Sequence, residues 1–333
     1  MQVSVRDVAA AAGVSVGTVS NALNKPDRVA PETLSRVQAA IEELGFVRND
    51  AARQLRAGRS RTIGLMVLDA RNPFFMDIAR GAEERAAEHG LSVLVANSDD
   101  RADRESTHLD LFEEQRVFGI LATPVSDPSP RLARLPARGI PVVLVDRASR
   151  DTAIPSVSVD DVVGGRLAAA HLTDLGRRRI AFVGGPLAVR QVADRLDGAE
   201  RAVAEVADAS LEVIGTRALT VAEGRAAGER IAARPPGLRP DAVFAANDLV
   251  ALGLLQSLAG SGALRIPEDI AIVGYDDIDF AAAAVVPLSS IRQPAALIGR
   301  RAVELLLAEG TDAGVDRQVR FDPELVVRDS TRG

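Results

Sequence analysis

Cysteine and tryptophan are absent from this 333-residue chain, and tyrosine and lysine each occur once, the latter as Lys25. Without cysteine the chain has no disulfide, iron–sulfur cluster, thiolate zinc site or thiol nucleophile, which leaves a reduced compartment or indifference to redox. Aromatics make up only 3% of the residues, so the core must be aliphatic and rich in alanine, a composition that favours helices stacked on Val/Ile/Leu strands. No apolar run reaches 18 residues, and the N-terminal MQVSVRDVAAAAGV sets Arg6 and Asp7 before a short alanine run. Neither a membrane span nor a secretion signal is read there, and a cytoplasmic protein with no membrane partner is expected. The three histidines, His89, His108 and His171, are far apart, lack the H-x-x-x-H spacing of a zinc site, and are each expected on a helix surface. Gly260 and Gly262 begin a G-x-G whose third glycine is replaced by Arg265, and no glycine directly precedes Lys25, so no dinucleotide or phosphate loop is read. GVSVG, from Gly13 to Gly17, has the spacing of a nucleophile elbow but follows the helix-prone DVAAAA instead of a strand. No cofactor, metal or catalytic residue is expected, and the chain is not read as an enzyme.

What is present is ordinary for a globular protein: 47% apolar and 26% charged residues, over a length that suggests two or three units at about 150 residues each. The net charge of −6 discourages nucleic acid as a partner until it is divided along the chain. Residues 1–61 hold nine of the 40 basic and six of the 46 acidic side chains, so this end carries +3 and the remainder −9. Arg53, Arg56, Arg59 and Arg61 fall within nine residues, a density suited to a phosphate-facing stripe.

Periodicity separates the same two regions. Val5, Val8 and Ala9 share a helical face ahead of Gly13; Ser15 is placed to cap a second helix carrying Val16, Val19 and Leu23; a third starts near Pro31 and stops at Gly45. A helix, a short glycine turn and a second helix is the pattern of a helix-turn-helix, in which Ala9 and Gly13 are small enough for the helices to approach closely. From residue 62 onward, apolar runs at 62–68, 91–96, 119–122, 141–145, 156–159, 179–184, 241–246 and 270–274 alternate with helical segments. This predicts two α/β lobes of doubly wound parallel sheets, with the lobe boundary near residue 160 and a crossover near 290.

The segment VSVGTVSNALN, followed by NDAARQLRAGRSRTIGL, resembles the recognition helix and hinge of the LacI-type (LacI/GalR) repressor family. The resemblance implies a helix-turn-helix unit at 1–57 with a hinge helix near 49–57, then an effector-binding and dimerisation core at 58–333. It assigns base reading to Val16, Gly17 and Asn21, phosphate contacts to Thr18, Ser20 and Asn24, minor-groove insertion to Leu55, and Arg53 to a hinge that orders on DNA. Family members often carry Arg where this chain has Asn21, a residue that prefers adenine or a phosphate to guanine. The implied partners are a pseudo-palindromic double-stranded operator, a small effector and a second copy of the chain. The C-terminal PELVVRDSTRG shows no heptad, so no tetramerising coil is expected.

In open α/β sheets ligands bind beyond the carboxyl ends of the strands. Asn72, Phe74, Phe75, Asp146, Arg147, Asn247, Asp248 and Asp276 all follow strands directly, and carboxylates, amides and a guanidinium beside an aromatic wall suit a polyhydroxylated sugar. The core resembles the periplasmic sugar-binding fold, whose ribose-binding branch matches Asn72, Phe74, Phe75, Asp146, Arg147, Arg195, Asn247, Asp276 and Gln293. Leu219 stands where that branch has a further aromatic. The resemblance implies an effector-controlled repressor taking ribose or a related pentose. Two other readings remain: a periplasmic-type sugar-binding protein, and a sugar-processing enzyme in which Asp146 and Asp276 form a hydrolase-like pair.

Overall fold

The computed structural model describes residues 3–46, 60–126, 130–149, 154–260, 264–309 and 316–332. The chain divides into two compact units, Met1–Arg59 and Ser60–Gly333.

The first unit contains α1 (Val5–Ala11), α2 (Val16–Asn24) and α3 (Pro31–Leu44). Ser4 and Asp7 form a reciprocal capping box at the start of α1, and the Ser15 hydroxyl accepts the Thr18 amide at 3.0 Å at the start of α2. Gly45 closes α3 in the left-handed conformation. Val8, Val19 and Val37, one from each helix, are fully buried and meet with Ala9, Ala12, Ala22, Ala40 and Phe46 in one small core. Gly13 is needed for a reason other than the close approach expected of it. A Cβ there would meet nothing within 4 Å, but the backbone turns at φ +63°, a conformation most side chains resist.

Among the described residues the second unit has two sheets. The first, in the order β11-β5-β4-β3-β1-β2, comprises β1 (Thr62–Val67), β2 (Ser92–Asn97), β3 (Gly119–Ala122), β4 (Val142–Val145), β5 (Ser156–Val159) and β11 (Gln318–Phe321). The second, β12-β10-β9-β8-β6-β7, comprises β6 (Arg179–Gly184), β7 (Ser210–Gly215), β8 (Ala242–Ala245), β9 (Ala271–Asp276), β10 (Ser289–Arg292) and β12 (Glu324–Val326). Every pairing is parallel except β10 with β12, an antiparallel edge. Central strands such as VVLV and AVFA are buried on both faces, which explains their continuous apolar runs.

Helices α4 (Pro73–Glu88) and α11 (Ala295–Ala308) pack on the first sheet opposite α5 (Ala102–Glu114). Helices α6 (Asp161–Asp174) and α7 (Arg190–Ala204) cover one face of the second sheet, and α8 (Val221–Ala232) and α9 (Asp248–Leu258) the other. A short α10 (Asp279–Ala283) follows β9. The chain crosses from the first sheet to the second between β5 and β6, returns through α11, and crosses once more between β11 and β12. The carboxyl ends of β1, β4, β8 and β9 therefore meet between the lobes.

His108 and His171 are half-buried instead of lying on a helix surface, His108 within 3.2 Å of the Asn97 carbonyl and His171 within 2.9 Å of the Thr331 hydroxyl.

Candidate functional site

In the first unit, Val16, Gly17, Asn21 and Asn24 of α2 are exposed, whereas Thr18 and Ser20 are half-buried. Val16 is 47% exposed, so its side chain is open to contact from outside the unit. Thr18 shares a 2.9 Å hydrogen bond with Ser15, and Asn24 Nδ2 donates to the Ser20 carbonyl at 2.8 Å, so both polar side chains are anchored to the helix itself. Arg53 and Leu55 lie outside the described residues.

Between the lobes of the second unit is a cleft of about 310 Å³. Asn72, Phe74, Phe75, Asp146, Arg195, Leu219, Asn247 and Asp276 all line it. The two asparagines cap helices and face the cleft at once. Asn72 Oδ1 accepts the Phe74 amide at 3.1 Å while its Nδ2 donates across the lobes to Asp276 Oδ2 at 2.9 Å; Asn247 Oδ1 accepts the Val250 amide at 3.0 Å. Phe74 and Phe75 meet edge to face, with centroids 5.3 Å apart. Arg147 and Gln293 are placed differently: neither lines the cleft. Arg147 donates to the Pro124 carbonyl at 3.1 Å, and Gln293 steadies Asp276 from behind, Nε2 to Oδ1 at 2.8 Å. Asp248 is wholly buried, accepting from the Ser290 hydroxyl at 2.6 Å and the Ile278 amide at 2.9 Å, and ties β9 to β10.

Sequence reasoning missed several cleft residues. Gln191 of α7 donates to Asp146 O and Oδ2 at 2.7 and 2.9 Å, a second hydrogen-bonded link across the lobes. Its signal was available, because Gln191 and Arg195 are one helical turn apart and share a face. Asp69, Arg71, Asp99 and Asp100 come from loops after β1 and β2, and Arg217 from the loop after β7. Asp161, at the start of α6, pairs with Arg195 Nε at 2.8 Å.

The electrostatics centre on Arg195. Its guanidinium sits 3.6 Å from the Tyr275 ring centroid, donates to the Ala246 carbonyl at 2.7 Å and stands 3.9 Å from Asp276. Burial opposes its charge, yet Asp161, Tyr275, Asp276 and Asp146 together hold it above the ordinary arginine value. Burial raises the carboxyls of Asp161 and Asp276 against the pull of Arg195. Asp146 is pushed up to about 7, first by burial and then by Asp161, with Arg195 and Gln191 opposing.

A three-helix reader with an exposed second helix, in one chain with a two-lobed core whose cleft is lined by polar side chains, defines a ligand-controlled DNA-binding regulator. Residues 4–49 match the model of the lacI family of bacterial regulatory proteins, and residues 169–331 match that of a periplasmic binding protein-like domain. The chain belongs to the lacI family. It is 37% identical over 304 residues to the ribose operon repressor of Bacillus subtilis, covering 91% of this chain and 90% of that one. It is 34% identical over 334 residues to the HTH-type transcriptional repressor PurR of Aliivibrio fischeri, covering 98% of each. The solved lac repressor dimer bound to operator and the anti-inducer ONPF matches with a TM-score of 0.83 at 28% identity, covering 100% of both chains. Among the described residues no helix is long and apolar enough to cross a membrane.

Proposed function

We propose that the chain is a cytoplasmic transcriptional repressor that holds a pseudo-palindromic operator as a homodimer and is switched by ribose or a closely related pentose. In this reading the reader with its hinge spans residues 1–57 and the effector core 58–333. Val16, Gly17 and Asn21 meet base edges, Thr18, Ser20 and Asn24 meet phosphates, and Arg53 and Leu55 belong to a hinge that engages the minor groove. Two copies are required because one short helix-turn-helix makes few phosphate contacts.

One observation carries the effector reading: eight residues picked from scattered strand ends and helices converge on a single cleft between two lobes. Its apolar wall of Phe74 and Phe75 fits a sugar face, and its carboxylates and amides fit vicinal hydroxyls. The likeness to a ribose operon repressor supports the pentose. Because Asn72–Asp276 and Gln191–Asp146 join opposite lobes, a ligand inserted among them changes how the lobes meet. To swing the equilibrium from 1:99 to 99:1 it must favour one state by about 5.5 kcal/mol.

A mobility shift of the DNA upstream of the protein's own coding region, repeated with pentoses, hexoses and purines, tests this. A shifted complex that responds to ribose supports the reading. A complex that responds only to a hexose or a purine replaces the effector, and no complex with or without ligand refutes the repressor.

A further inference from the structure

The cleft has many acceptors and, among the described residues that line it, no guanidinium without a carboxylate partner. Five carboxylates line it, Asp69, Asp99, Asp100, Asp146 and Asp276, against three guanidinium groups, Arg71, Arg195 and Arg217. Arg71 is held by Asp69 at 2.8 Å and Asp99 at 3.0 Å, and Arg195 by Asp161 at 2.8 Å. Arg217 is held by Glu223 through side chain and backbone, at 2.9 to 3.1 Å. A phosphoryl group entering here finds carboxylates in excess and every cation already engaged. In the interior, Asp146 is 3% and Gln191 5% exposed, and among the described residues no donor reaches Asp146 Oδ1 or Gln191 Oε1. Buried acceptors of this kind are satisfied by hydroxyl or N–H donors and not by an anion.

Resting on the reading of this cleft as the effector site, we propose that it takes an uncharged, hydroxyl-donating ligand and rejects the phosphorylated form of the same sugar. Asp146 and Gln191 supply the acceptors, and the acidic mouth of Asp69, Asp99 and Asp100 supplies the repulsion. The protein then reports a free sugar, upstream of any phosphorylating reaction that consumes it.

Isothermal titration of the full chain with D-ribose, D-ribose 5-phosphate, D-glucose and D-glucose 6-phosphate is the test. The uncharged member of the binding pair is expected to bind about 100-fold more tightly than its phosphate ester. That gap should narrow in the Asp99→Asn/Asp100→Asn double variant, in which asparagine keeps the left-handed backbone both positions require, at φ +53°. Gln191→Met, close in volume, should weaken the uncharged sugar about tenfold, the worth of one buried hydrogen bond. Selective binding of glucose over glucose 6-phosphate, with ribose silent, overturns the pentose and leaves the charge selection standing. A phosphate ester that binds as tightly as its parent sugar overturns the charge selection and leaves the effector cleft standing. Failure of every uncharged sugar to bind overturns both.

Discussion

Replacing Arg195 by methionine keeps an unbranched side chain of similar length in α7 and deletes a buried cation that lines the cleft. In the wild type this guanidinium bonds Asp161 at 2.8 Å and lies 3.9 Å from Asp276; their side chains are 10% and 3% exposed, and no other cation pairs with either among the described residues. Removing one partner of a buried ion pair costs about 3–5 kcal/mol, because the charge left behind is neither solvated nor compensated. The carboxyls respond by holding protons to higher pH. A group whose folded pKa is raised stabilises the protein fully below its unfolded value and loses that contribution as pH rises through the folded value. The deficit of Arg195→Met should therefore be larger at pH 8 than at pH 5, by about 1.4 kcal/mol for each further unit that one carboxyl is displaced. At about 2–4 °C per kcal/mol for a domain of this size, a loss of roughly 4 kcal/mol lowers the melting temperature by about 8–15 °C at pH 8. Scanning calorimetry of wild type and variant at both pH values reads this directly. A deficit below about 1 kcal/mol, or one equal at pH 5 and pH 8, would refute the picture of Arg195 as the shared counter-ion of the cleft.

Asp146→Asn removes the carboxyl that burial and Asp161 push up to about 7. By the same sign the wild type loses stability as pH rises toward 7, so the variant should show a flatter stability profile between pH 5 and 8 in denaturant titrations; an unchanged slope contradicts the assignment. Gly81→Ala places a Cβ 2.0 Å from the Ala296 carbonyl oxygen at the crossing of α4 and α11, and should cost more than about 2 kcal/mol. Gly237→Ala, with nothing within 4 Å, should stay within about 0.5 kcal/mol, and equal melting of the two variants would dismiss the close helix crossing. Ser15→Ala deletes the cap of α2 and should remove about 1 kcal/mol from the first unit, measured as weakened operator retention on raising temperature. Leu55→Ala should weaken operator binding by about tenfold or more while non-specific duplex binding changes little, and equal loss on both removes the minor-groove role.

The sequence is most legible where one residue has one physical job. Ser15, Pro31 and Gly45 mark helix ends through their own hydrogen bonding or backbone preference, and VVLV or AVFA, short apolar runs between turn residues, suit strands buried on both faces. The edge strand SLEVIG escaped that reading because its Ser210, Glu212 and Val213 face solvent and break the apolar run. The strands β10, β11 and β12 escaped because SSIR, QVRF and ELV carry polar or charged residues that break the apolar run, and because their pairing comes from a chain that crosses between lobes three times. In the cleft, the rule that ligand residues follow strands found Asn72, Asp146, Asn247 and Asp276. It could not tell that Arg147 turns to the Pro124 carbonyl, nor that Gln293 acts through Asp276. Gln191 sits mid-helix, where the rule does not look, although its one-turn spacing from Arg195 placed it on the same face.

In the proposed switch, one small ligand in the cleft sets the affinity of the exposed α2 for DNA. Fluorescence anisotropy of a labelled operator duplex, titrated with the full chain with and without saturating ribose, measures it most directly when Asp276→Ala is carried alongside. Adding ribose to the wild type should change operator affinity at least about tenfold, a coupling of roughly 1.4 kcal/mol, and should change nothing in the variant, which should still bind the duplex. An operator affinity that stays the same when ribose is bound, or a variant that responds as the wild type does, would contradict that switch.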